Sequence, residues 1–240
     1  MSVMQAKGFY NRFEDVFILD GLRTPMVDYQ GAFADANPID VGIQAARKLS
    51  GKATVADRDT HPRPTPVDVL AKLRTVFKDG VQTDGNSPAL TDAAAAALVG
   101  SGAAMKRWMQ ATGKTALARV TAAAVVGVPP EIMGIGPAPA IPFLLTRSGL
   151  QLRDIAHFET NEAQGAQTLA VASDLGQDLT TLNVKGGAIE LGHPLAATGM
   201  RRTVTEARQL KEIGARWGIA SACVGGGQGI ALLIENTNAR

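Results

Sequence analysis

Residues 118–149 read ARVTAAAVVGVPPEIMGIGPAPAIPFLLTRSG, a strand pattern followed directly by a helix pattern. The run 118–128 is apolar and rich in small and β-branched residues, which is typical of a buried strand. The run 136–149 begins with prolines that suit a first helical turn and stops at Gly149, a common helix end. This stretch therefore predicts one β–α unit.

The same alternation continues toward the C-terminus. Further β-rich runs cover 154–161, 181–187, 217–225 and 228–236, and helical runs cover 162–176 and 194–214. The order is βαβαβαββ, which predicts an α/β fold with a mainly parallel sheet, covering helices and a terminal antiparallel hairpin. Ligands gather at the carboxyl ends of the strands in such sheets.

The N-terminal half has a less regular pattern. Residues 15–20 predict a buried strand that ends in a turn at Gly21. Residues 39–49 predict a helix, because Asn37 is a suitable cap and Pro38 suits the first helical turn.

The middle of the chain contains a break in this order. Residues 51–66 are polar and include three prolines, which predicts a surface loop or linker. Residues 67–77 predict a short helix. The alanine-rich stretch 93–109 fits either a strand or a helix, and periodicity leaves both alternatives open.

Composition excludes several classes of protein. With 45% hydrophobic and only 5% aromatic residues, the 240-residue chain fits a packed domain better than a platform for stacking bases, so nucleic acid is not an expected partner. No apolar run is long enough to span a bilayer and no signal-like apolar segment opens the sequence, so we expect no membrane and a cytoplasmic protein. The single cysteine, Cys223, excludes an internal disulfide and a cysteine-based zinc cluster, and we predict no metal site.

Three loops carry the residues suited to chemistry: NEAQ (161–164), GGAIELGHP (186–194) and CVGGGQG (223–229). From the residues alone, Asn161 fits a helix cap, and His193 fits a structural or a catalytic histidine equally well. Cys223 fits an inert buried thiol or, at a strand end, a reactive thiol near solvent. The glycines that follow it fit a hairpin turn.

These loops, in this order and spacing, resemble the signatures of the thiolase family. Three further blocks support the resemblance: DGLRTPMVDYQGAF (20–33), TDGNSPALTDAAAA (83–96) and VVGVPPEIMGIGP (125–137). The resemblance implies a layered αβα fold, with a complete C-terminal βαβαβαββ half at 113–240 and a truncated N-terminal half at 1–112.

The resemblance also implies an activity and a set of catalytic residues. Thiolases make or break the carbon–carbon bond of 3-ketoacyl-CoA, so it implies thiolysis or Claisen condensation, a coenzyme A thioester as substrate, no permanently bound cofactor and a homo-oligomer. Cys223 matches the acid/base cysteine, and the N–H of Gly225 matches an oxyanion donor. His193 matches a donor to the thioester oxygen, and Asn161 matches the residue that holds an oxyanion-hole water.

The sequence departs from the family at the acyl-accepting cysteine. No CGSG-like or CGTG-like turn is present, and the resemblance predicts an internal deletion close to residues 50–55 that removed it. The alternatives to an acyltransferase are a non-catalytic CoA-thioester-binding pseudoenzyme and a deletion product without a function of its own.

Smaller departures concern Gln164, Lys185 and Glu190, which replace an aromatic, an Asn and a small apolar residue of the family signatures. We expect Lys185 to pair with Glu190 or to lie in space that the deletion opens, because a buried unpaired charge would be costly. His61 and His157 match no catalytic block and are predicted to be surface or structural residues.

Overall fold

The computed structural model describes residues 7–28, 32–33, 40–43, 45 and 58–239. Residues 40–43 and 45 are helical, in agreement with the helix predicted at 39–49. The predicted cap and the predicted deletion point at residues 50–55 lie outside the described residues.

The strands, in chain order, are β1 (Gly8–Arg12), β2 (Phe17–Arg23), β3 (Val27–Asp28), β4 (Thr91–Asp92), β5 (Ala95–Gly100), β6 (Ala118–Gly127), β7 (His157–Thr160), β8 (Trp217–Val224) and β9 (Gln228–Glu235). Within the described ranges, seven of them form one sheet in the order β5-β2-β6-β9-β8-β7, with β1 also paired to β6. Strands β3 and β4 form a separate two-stranded ribbon.

Besides the helical residues 40–43 and 45, the α-helices of the described ranges are α1 (Val67–Leu70), α2 (Gly102–Thr112), α3 (Pro137–Ser148), α4 (Gly165–Leu175), α5 (Ala188–Leu191) and α6 (Thr198–Ile213). On one face of the sheet, Ile141 and Leu144 of α3 pack with Ile219. On the other face, Val204 of α6 packs with Ile234. Helices thus cover both faces, and the predicted layered α/β fold is confirmed.

The prediction of a mainly parallel sheet is wrong. Strands β7 and β8 are parallel, whereas all other strand pairs of the described sheet are antiparallel. The reason is the position of β9, which pairs with both β6 and β8 and runs opposite to each. Strands β6, β7 and β8 still run in one direction, so their carboxyl ends lie at one edge of the sheet.

The predicted strand at 181–187 is also wrong. Leu182 makes a single bridge to Phe158, and the chain then turns at Asn183, whose φ is 47°. The Asn183 side chain accepts from the Thr160 N–H and donates to the Thr160 carbonyl, both at 2.9 Å. A side-chain amide therefore satisfies the outer edge of β7 where a neighbouring strand would otherwise be needed.

Elements of the N-terminal half differ from the prediction in length. Strand β2 continues through Gly21 to Arg23, because it pairs with β5 along that part of its length. The alanine-rich stretch forms both alternatives in turn, as strand β5 and then helix α2. Strand β1 was not predicted. One sheet contains strands from both sides of the predicted domain boundary at 112/113, and that boundary remains a prediction.

The predicted helix at 67–77 is limited to the four residues of α1, which has no buried residue. Val67 and Phe77 are exposed, so the segment lacks the buried apolar face that stabilises most helices in proteins. Residues 58–66 form no helix or strand, as predicted for a loop, but Asp59 anchors them. Its carboxylate accepts hydrogen bonds from both terminal nitrogens of Arg23, at 2.6 and 2.8 Å.

Candidate active site

The candidate site lies where β7 and β8 end at the same edge of the sheet. The two strands pair Thr160 with Ser221, and the next N–H, that of Asn161, donates to the Ser221 carbonyl at 2.8 Å. Cys223 follows two residues later on β8, opposite Gly229 of β9. Asn161 and Cys223 are therefore positioned by adjacent strands.

His193 reaches this edge from a separate turn. Its backbone N–H donates to the Ala89 carbonyl at 2.9 Å. Its ring Nδ1 lies 2.7 Å from the Thr198 hydroxyl, and its Nε2 lies 3.3 Å from the amide nitrogen of Asn161. The structure thus brings two of the predicted site residues, Asn161 and His193, into direct contact.

The electrostatic surroundings favour a neutral His193. Burial lowers the pKa of its imidazole, and the nearby positive charges of Arg202 and Arg201 lower it further. A neutral imidazole at pH 7 has one donor nitrogen and one acceptor nitrogen. His193 can therefore accept a proton in this site.

Asn161 offers a second polar group to the site. The residue is buried, and its Oδ1 has no hydrogen-bond partner among the residues that the structure describes. A buried amide oxygen without a donor is costly, so this atom is suited to a water molecule or a ligand donor.

Of the two alternatives for Cys223, a reactive thiol near solvent is wrong. The residue is 8% exposed, because it belongs to the paired part of β8 and precedes the turn. Burial raises the pKa of the Cys223 thiol, so the protonated form predominates at neutral pH. The site therefore contains a proton donor rather than a ready thiolate nucleophile.

The glycine turn (Gly225, Gly226 and Gly227) joins β8 to β9. A side chain at Gly227 would place its Cβ 2.3 Å from the Val128 carbonyl oxygen, and its φ is 89°, so this position requires glycine. Gly225 is exposed, with open space around it. Its role as an oxyanion donor remains a prediction.

Residues 86–90 connect two of the loops, a feature that sequence reasoning missed. The Asn86 carbonyl accepts from Gly165, and the Ser87 hydroxyl donates to Gln164 at 2.8 Å. Leu90 bridges His193. Gln164 therefore has a local partner in Ser87.

Comparisons with known proteins agree with this architecture. Residues 114–236 match the model of the thiolase C-terminal domain. The chain belongs to the thiolase family. It is 46% identical over 189 residues to the mitochondrial 3-ketoacyl-CoA thiolase of Bos taurus, covering 78% of this chain and 46% of that relative. It is 44% identical over 218 residues to the beta-ketoadipyl-CoA thiolase of Acinetobacter baylyi, covering 89% and 52%.

Solved thiolase structures share the fold. The human mitochondrial 3-ketoacyl-CoA thiolase superposes with a TM-score of 0.71 at 44% identity, covering 78% of this chain and 47% of that one. The same enzyme in complex with CoA superposes at 0.72 with 39% identity, covering 83% and 53%. This thiolase-family chain therefore spans about half the length of the relatives it matches.

Glu162 of the NEAQ loop has a structural role that sequence reasoning missed. Its carboxylate accepts from the Asn183 amide at 2.6 Å and from the Ile189 N–H at 2.9 Å. A Cβ at Gly187 would overlap this carboxylate at 1.9 to 2.0 Å. Glu162 thereby fixes the segment that leads to His193.

Buried charges between β7 and α6 were missed as well. His157 Nδ1 lies 2.6 Å from the Glu206 carboxylate, and Arg202 donates to Glu159 at 3.1 Å. His157 and Glu159 face α6 from alternate positions of β7, the strand that precedes Asn161. A period-of-two pattern of His157, Glu159 and Asn161 was the signal available in the sequence.

Two expectations about charged and histidine residues need correction or refinement. Lys185 pairs with Glu212 at 3.1 Å, and both side chains are exposed, so the expected pairing with Glu190 is wrong. His157 is a buried structural residue, whereas His61 lies 3.2 Å from Asp28.

The described residues contain no group of three or more His, Cys, Asp or Glu side chains that could hold a metal ion. No helix in this part of the chain is long and apolar enough to cross a membrane.

Proposed function

We propose that this chain binds an acyl-CoA thioester at the edge where β7 and β8 end, and acts there as a thiolase-family acyltransferase of low turnover. The contact between Asn161 and His193, beside Cys223 on the adjacent strand, carries the proposal. The match to thiolases and the CoA complex of a similar human enzyme support the substrate class.

The retained groups fit the acid/base half of thiolase chemistry. The protonated thiol of Cys223 can give its proton to a carbanion at the α-carbon when the carbon–carbon bond breaks. Neutral His193 can take a proton from an attacking thiol. Asn161 can hold a water that donates to a developing oxyanion.

The covalent step of thiolase chemistry, transfer of the acyl group to a cysteine, has no suitable residue in this sequence. Cys223 is the one cysteine of the sequence, and its burial and raised pKa make it a poor acyl acceptor. We infer that an internal deletion removed the acyl-accepting cysteine of the family. The loss of a covalent nucleophile commonly lowers rates by several powers of ten.

The presence of a single, buried cysteine also favours a second candidate function, a CoA-thioester-binding pseudoenzyme. The two functions share the binding step and differ in whether any acyl transfer follows it. The compartment and the oligomeric state remain predictions, and some of the matched thiolases are mitochondrial.

Titration calorimetry of the purified chain with acetyl-CoA and with free CoA tests the shared binding step. We expect saturable binding that His193→Asn weakens. His61→Asn is the matched control, because His61 pairs with Asp28 and lies in no predicted catalytic loop. Absence of binding by the folded chain would overturn both candidates, whereas binding without detectable turnover would favour the pseudoenzyme.

A further inference from the structure

We infer that Thr198 is a positioning residue that holds neutral His193 in the tautomer with its proton on Nδ1. The catalytic consequence rests on the proposed function, but the tautomer itself does not. The inference comes from the direction of the hydrogen bonds around two buried side chains.

The Thr198 hydroxyl has two close partners and one proton to donate. Its oxygen lies 2.9 Å from the Pro194 carbonyl, which can only accept. It also lies 2.7 Å from His193 Nδ1. Because the hydroxyl proton goes to the carbonyl, a lone pair of the oxygen faces the ring, and Nδ1 must carry the hydrogen.

The opposite side of the ring is consistent with this assignment. With its proton on Nδ1, neutral His193 presents a lone pair at Nε2, and the Asn161 amide nitrogen, 3.3 Å away, can donate to it. If the Asn161 amide were reversed, Nε2 would need the proton. In neutral His193, a lone pair of Nδ1 would then face a lone pair of Thr198.

The surroundings of His193 favour its neutral form. Burial and the cations Arg202 and Arg201 lower the pKa of His193. One direction of donation therefore runs from Asn161 to His193, from His193 to Thr198, and from Thr198 to the Pro194 carbonyl.

The tautomer determines the order of events at His193. In the resting site, Nε2 of His193 is an acceptor. It can therefore take the proton of an attacking thiol, which leaves a thiolate and an imidazolium. Only then does Nε2–H become a donor that can bind a thioester oxygen. The donor role that the family resemblance implies for His193 thus follows a proton transfer.

NMR of the chain labelled with ¹⁵N-histidine tests the inference without substrate or turnover. The chain has three histidines, and His193→Asn identifies the signals of His193. We expect a pyrrole-type Nδ1 and a pyridine-type Nε2 at neutral pH. A pyridine-type Nδ1 in the unaltered chain would overturn the inference, whatever the variants do.

Two variants test the part played by the hydroxyl. Thr198→Ser retains it and should keep the Nδ1–H tautomer. Thr198→Val removes it with little change of shape and should shift the population to Nε2–H; the Pro194 carbonyl keeps two N–H donors, from Ala197 and Thr198. An unchanged tautomer in a folded Thr198→Val variant would contradict a positioning role. Failure of the calorimetric binding test would leave these results intact.

Discussion

The amide nitrogen of Asn161 lies 3.3 Å from Nε2 of His193, although 32 residues separate them in the sequence. Strand β7 positions the first residue and a turn before α6 positions the second. Residues 86–90 hold both, through Asn86 on the NEAQ side and Ala89 on the His193 side. The Asn161–His193 pair is therefore held by three separated segments, and Cys223 of β8 comes from a fourth.

We predict that Glu162→Ala destabilises the protein by about 1 to 3 kcal/mol, because it removes the acceptor for Asn183 and Ile189. Urea unfolding measures the loss, and hydrogen exchange of the Ile189 amide should become faster. The matched control is Glu190→Ala, which alters an exposed glutamate of α5 next to Ile189. Equal effects of the two variants would contradict the anchoring role of Glu162.

Gly187→Ala should be destabilising for the same reason. The new Cβ would lie within 2.0 Å of the Glu162 carboxylate, so that side chain has to leave its hydrogen bonds. Gly199→Ala is the control, because this exposed helical glycine has nothing within 4 Å of a new Cβ. Gly199 is the second residue of α6 and exposed, so this variant should change the free energy of unfolding by no more than about 0.5 kcal/mol. A thermal melt in which Gly187→Ala is neutral would refute the predicted overlap.

The buried Glu206 should make stability fall as pH rises. Burial raises its pKa from 4.5 to about 7, so the folded protein holds a proton that the unfolded chain releases. The unfolding free energy should therefore decrease between pH 4.5 and about 7. Glu206→Gln removes this titration, so the difference between the original chain and the variant should shrink or change sign across that range. A pH-independent difference would contradict the prediction.

Iodoacetamide should alkylate Cys223 slowly in the folded protein. The thiol is buried and its pKa is raised, so we expect a rate at least about tenfold below that of the urea-unfolded chain. Intact-mass spectrometry follows the single adduct, and Cys223→Ser is the blank. Acetyl-CoA should give no adduct on Cys223. A 42-dalton gain that maps to this residue would show that it accepts acyl groups.

Local sequence patterns predicted the elements that carry a clear apolar run and a clear glycine or proline signal at an end. The strand β6, the helix α3 ending at Gly149, and the hairpin of β8 and β9 follow from apolar runs and glycine or proline signals. The order of strands did not follow, because the insertion of β9 beside β6 is decided by tertiary pairing.

The errors near the site have a common physical cause. Residues 181–187 have the composition of a strand, but the side chain of Asn183 takes over the hydrogen bonds that a strand would make. Cys223 was open to a solvent-accessible interpretation, whereas pairing with Gly229 of β9 keeps it within the sheet, where it is buried. Motif resemblance predicted Asn161 and His193 as site residues, but their contact depends on long-range packing that a single sequence does not display.

The proposed function combines binding of acyl-CoA with slow acyl transfer, because we infer that a deletion removed the acyl-accepting cysteine. The most direct test is the rate of acetoacetyl-CoA thiolysis by the purified chain, measured beside the human mitochondrial 3-ketoacyl-CoA thiolase. We predict kcat/KM at least several hundredfold below that enzyme, because Cys223 is the one cysteine of the sequence and we infer that it does not accept the acyl group. A rate comparable to that of the human enzyme would contradict the inferred loss of the nucleophile.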